Sequence, residues 1–146
     1  MTHTWRHLPV AARPIGAAIE AAVIAAETPD REAMADAVAE LAALDQVQVG
    51  LVLGTAVRLL LEERHPDGLT GDDIKHVLKR TVAEFPEADP QVVWFLLAGA
   101  LGVHADGPPV SPELAAWHAT FLLAGAPIRP LIERAMQEIE QTQLND

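Results

Sequence analysis

The chain has 146 residues, half of them apolar, with 10 Lys and Arg against 21 Asp and Glu and a net charge of −11. A chain of this size buries about 68–70% of its unfolded surface, so a single domain with its own core is expected and disorder is excluded. Having no cysteine, it has no disulfide, thiolate zinc site, iron–sulfur cluster or cysteine nucleophile, and its charge sets it against nucleic acid and anionic lipid.

Proline and helix caps divide residues 1–146 into seven helices, which predicts an all-α, bundle-like domain. Residues 1–12 read as a flexible amino-terminal arm. Arg13, Pro14 and Glu20 interrupt any leader-like apolar run, so a cytoplasmic protein is expected. The first helix is predicted from about Pro14 to Glu27, with Ile15, Ile19, Ala22, Val23 and Ala26 on one face. Thr28 is expected to cap the second, with Pro29 at its first position and its end near Leu44. Asp45 with Gln48 reads as a capping box for the third, which runs to Arg64 and stops at His65-Pro66-Asp67-Gly68.

A further capping box, Thr70 with Asp73, opens the fourth helix, where Ile74, Val77, Leu78, Thr81, Val82 and Phe85 recur at amphipathic spacing. Lys75, His76, Lys79 and Arg80 then fall on its solvated side. Asp89-Pro90 opens the fifth helix, expected to reach Val103. Ser111-Pro112-Glu113 opens the sixth, to about Gly125, and Pro130 begins the seventh, which frays over 140–146. The longest apolar run, 92–103, covers about 18 Å as a helix against a bilayer core of about 30 Å, so no membrane span is expected.

The third and fifth helices are nearly all apolar and are predicted to form a central pair. The third is relieved only by a strip of Gln48, Thr55, Arg58 and Glu62. Both carry small residues suited to close backbone approach: Gly50 and Gly54 in one, Ala98, Gly99 and Gly102 in the other. One domain offers few helices to cover both, which predicts an apolar face left for a partner. The hexapeptide Phe95-Leu-Leu-Ala-Gly-Ala100 recurs as Phe121-Leu-Leu-Ala-Gly-Ala126, so helices five and six are expected to present equivalent surfaces. The interaction residues expected from this reading are Trp94, Phe95, Leu96, Gly99, Trp117, Phe121, Leu122 and Gly125. The leading function is an acidic interaction module that self-associates as a homo-oligomer, its remaining surface open to a basic protein partner.

An alternative places a metal-dependent enzyme or ligand-binding site at the turn between helices three and four. There Glu62 with His65, and Asp73 with His76, have the i, i+3 spacing of carboxylate–histidine ligand pairs, and Asp72 lies beside them. A third reading puts a small apolar effector between helices four and six, among the clustered aromatics. His3 and His7 at the terminus, and His104 with Asp106 before helix six, are weaker constellations. Ser111, the only serine, is committed to a helix cap, which leaves no nucleophile for a triad. No catalytic residue and no cofactor is assigned.

Overall fold

The computed structural model describes residues 12–28, 30–103 and 110–145, and among them the chain forms seven α-helices and no strand. They are α1 (Arg13–Glu27), α2 (Arg31–Ala43), α3 (Gln46–Arg64), α4 (Gly71–Glu84), α5 (Pro90–Ala100), α6 (Pro112–Leu123) and α7 (Ile128–Asn145). Local chemistry sets most boundaries. The Thr70 hydroxyl accepts the Asp73 N–H while the Asp73 carboxylate accepts the Thr70 N–H, completing the expected capping box. Asp45, Asp89 and Ser111 likewise accept backbone N–H groups at the starts of α3, α5 and α6.

Some boundaries differ from expectation. Asp30, not Thr28, caps α2 by accepting the Ala33 N–H at 3.0 Å. Thr28 instead closes α1, its hydroxyl donating to the Ile24 carbonyl at 3.0 Å. Pro29 lies outside the described residues. α5 stops at Ala100, and Gly102 follows with φ +76, a left-handed conformation that ends the helical run before Val103. α7 continues to Asn145, through the segment expected to fray.

α1 and α2 fold back on one another, and α3 lies along α7. α6 is the central helix: it packs against α1, α2, α3 and α5, and every residue from 118 to 123 is buried. α3 and α5 pack on one another as expected, and α5 also touches α4 and α6. Ile19, Leu41, Val93, Leu97, Leu123 and Ile132 are among the most fully enclosed apolar side chains. Burial of each contributes about 1.5–3 kcal/mol.

Ion pairs tie the outer helices together. Arg129 grips Glu20 through Nε and Nη2 at 2.7 and 2.9 Å, joining α7 to α1. The polar strip of α3 faces α7, where Arg58 bonds both Glu62 on its own helix and Glu138 opposite. No described helix is long and apolar enough to cross a membrane.

Candidate functional site

An apolar concavity lies between α3, α5 and α6. It encloses about 230 Å³ and is lined by Gly50, Leu53, Gly54 and Val57 of α3, Phe95, Leu96, Gly99 and Ala100 of α5, and Ala115 and Ala119 of α6. Part of its floor is bare backbone, because three of the positions have no side chain. Among the described residues, a Cβ placed on Gly50, Gly54 or Gly99 would meet no heavy atom within 4 Å. The glycines therefore do not serve close approach between helices of this chain, as their spacing led us to expect. They leave space instead, at a cost of about 0.5–1 kcal/mol each relative to alanine.

Beside this groove stands a ridge. Val47 and Leu51, 72% and 41% exposed, lie one turn apart on α3, and positions 47, 50, 51 and 54 follow the i, i+3, i+4, i+7 spacing of one helix face. Among the described residues the large exposed apolar side chains are Ile24, Val47, Leu51, Trp94, Val103 and Leu114, and all but Ile24 belong to the groove helices or the turn following α5. Charge is nearly absent here. Residues 46–57, α5 and α6 together carry one formal charge, Glu113, in a chain of net charge −11.

The expected interaction residues divide on this geometry. Phe95, Leu96 and Gly99 line the groove. Trp94 is 48% exposed, but two residues of helix turn it about 200° away from Leu96, onto the other side of α5. On α6 the expectation is corrected. Phe121 is only 4% exposed and stacks on Phe85 with ring centroids 4.5 Å apart, Leu122 is buried, and Trp117 is half-buried against Phe121. Gly125 lies beyond the helix, donating its N–H to Glu27 at 2.6 Å.

The two hexapeptides are therefore not equivalent. All of residues 95–100 are helical, whereas α6 ends at Leu123 in mid-motif and Gly125 adopts φ +86. Sequence reasoning missed Ala115, Ala119 and the Val47–Leu51 ridge. The ridge had a legible signal in its helical spacing with the two glycines. The alanines had none.

The polar cluster at the α3–α4 turn does not converge. Among the described residues no group of three or more His, Asp or Glu side chains is placed to hold a metal ion. Glu62 is paired with Arg58 at 3.0 Å, His65 Nδ1 lies 2.9 Å from the Leu61 carbonyl, and Asp73 is committed to the Thr70 capping box. Asp72 and His76 are exposed. The Thr70 N–H bond holds the Asp73 carboxyl below its ordinary value of 3.8. The helix boundary thus engages Glu62, His65 and Asp73 in an ion pair, a backbone contact and a cap.

Between α4 and α6, Phe85 and Phe121 fill with each other the space expected for an effector. The crevice beside them measures about 190 Å³, and the Arg31–Glu87 ion pair at 2.7 Å forms part of its lining. Ligand sites usually span about 300–1,000 Å³. Ser111 caps α6 as expected, accepting the Leu114 N–H at 3.2 Å. His3, His7, His104 and Asp106 lie outside the described residues.

Comparison of the chain with protein-family models, curated proteins and solved structures finds no match.

Proposed function

We propose that this chain is a non-catalytic protein-interaction module whose docking face is the α3–α5–α6 groove with its Val47–Leu51 ridge. The observation that carries the reading is the open space above Gly50, Gly54 and Gly99. Glycine inside a helix weakens it, and among the described residues no packed neighbour offsets that weakness. A partner that packs its own helix over the bare backbone would offset it. The volume of about 230 Å³ favours the same conclusion, since it falls below the usual range for a metabolite pocket while an open apolar groove accepts a helix face.

The expected basic partner belongs to the acidic remainder of the surface, because the groove has no formal charge with which to attract it. A cytoplasmic setting, without nucleic-acid or membrane partners, is part of this reading and rests on the charge of −11.

Thermal and urea unfolding of dilute Gly50→Ala, Gly54→Ala and Gly99→Ala tests the proposal. Each should raise the stability of the free chain by about 0.5–1 kcal/mol, the ordinary helix-interior gain. A loss of stability in all three would mean that the glycines serve the fold itself, and the docking reading would fail.

A further inference from the structure

We infer that the outer face of α4, with Arg64 beside it, docks an acidic protein segment whose carboxylates recur at one-turn helical spacing. This face is separate from the α3–α5–α6 groove, so the inference stands or falls independently of the docking reading above. Among the described residues Arg31, Arg58, Arg129 and Arg134 each hold a carboxylate, and Arg13 is engaged as well. Arg64, Lys75, Lys79 and Arg80 form no ion pair with any described residue, although the chain has 21 Asp and Glu against 10 Lys and Arg. All four are exposed, as is His76, and they include both lysines of the chain. Cations so outnumbered should each find a carboxylate, yet these stand together without one.

Helix geometry gathers them. Ile74, Val77 and Thr81 turn into the core, which leaves Lys75, His76, Lys79 and Arg80 on the outer side of α4, and residues 74–83 include no carboxylate. Arg64 ends α3 near the same face: partial burial, and then the Arg80 guanidinium, hold it below its ordinary value, with Glu63 and Glu84 acting the other way. Two like charges in proximity oppose each other in the free chain, and a carboxylate brought between them turns repulsion into attraction.

The extent of the patch selects the partner. From Lys75 to Arg80 it covers about 7.5 Å along the helix, with Asp72 before it and Glu84 after it. A nucleic-acid duplex, with one charge per about 1.7 Å, or an anionic bilayer would overrun it and meet those carboxylates and the rest of a chain at −11. A short acidic helix does not. Its carboxylates at i and i+4 stand about 6 Å apart along the axis, the spacing of Lys75 with Lys79 and of His76 with Arg80.

Fluorescence anisotropy of a labelled helical peptide carrying glutamates in i, i+4 pairs, titrated with the full chain at low salt, tests the inference. The variants are Lys75→Gln with Lys79→Gln and Arg64→Gln with Arg80→Gln. Arg31→Gln with Arg134→Gln removes the same charge from exposed positions elsewhere and serves as the control. All these side chains are exposed, so circular dichroism should show every variant folded. Wild type and control should bind the peptide, and both patch variants should bind it about tenfold more weakly, as expected for the loss of two exposed ion pairs. Added salt should weaken the wild-type complex, and the same peptide with glutamine in place of glutamate should not bind. A wild-type chain that ignores the glutamate peptide, an equal loss in the control, or tighter binding of a DNA duplex or a phosphatidylserine vesicle than of the peptide would overturn the assignment.

Discussion

His118 on α6 accepts the backbone N–H of Asp89 through Nε2 at 2.9 Å, which fastens the first turn of α5 to the central helix. Its Nδ1 lies 2.8 Å from the Leu114 carbonyl. A carbonyl only accepts, so Nδ1 carries the proton and Nε2 is left free to receive the Asp89 N–H. The ring is buried and meets Phe121 edge-on at 5.6 Å. One side chain thus joins three features: the cap of α5, the axis of α6 and the aromatic cluster. By fixing α5, it also positions one wall of the groove.

Replacing this imidazole by an apolar ring isolates the hydrogen-bond contribution. His118→Phe keeps the bulk and leaves the Asp89 N–H without its acceptor, which should cost about 1–3 kcal/mol. Urea unfolding should show a lower midpoint with an unchanged slope. An undiminished midpoint would show that the bond to Asp89 does not stabilise the native state.

The capping box at α4 should make stability depend on acid. Donation from the Thr70 N–H holds the Asp73 carboxyl below 3.8 in the folded chain, so the unfolded chain binds that proton more readily. The resulting stabilisation is fully present above 3.8 and is lost as pH falls through the lower folded value. Asp73→Asn should therefore be less stable than wild type at neutral pH, with the difference shrinking towards the acid limit. Paired denaturation curves across that range measure it, and a difference independent of pH would contradict the assignment.

The repeated hexapeptide supplies a contrast in sign. Gly125 holds φ +86, so Gly125→Ala should destabilise by about 1–2 kcal/mol even though a Cβ there meets no atom of the described residues within 4 Å. Gly99→Ala, at the matching letter of the other copy, should stabilise, because its backbone is helical. Calorimetric melting of the two variants side by side checks both signs.

Ion pairs on α7 should differ in strength according to their surroundings. Arg129 holds Glu20 in a two-pronged, partly buried contact, whereas Arg134 meets Glu63 through one nitrogen where both side chains are half exposed. Double-mutant cycles should give about 0.5–1 kcal/mol of coupling for the first pair and about 0–0.5 kcal/mol for the second. Equal coupling energies would argue that burial and bidentate geometry do not matter here.

Much of this architecture was legible in residues only a few positions apart. Prolines, the Asp45, Thr70, Asp89 and Ser111 caps, and the 3.6-residue rhythm of α4 identify the helices, because capping and helical periodicity are satisfied within one or two turns of the same chain. The near absence of charge in residues 46–57, α5 and α6 likewise announced that these segments are shielded or partnered. Tertiary structure decided which outcome applied to each. Burial depends on which distant helix arrives at a given face, and identical letters do not encode that: Phe121 is enclosed by α6's neighbours, while Phe95 lines an open groove. The roles of the glycines were decided in the same way. Whether the space above a missing side chain is filled or empty is set by packing across the fold, and above Gly50, Gly54 and Gly99 the described residues leave it empty.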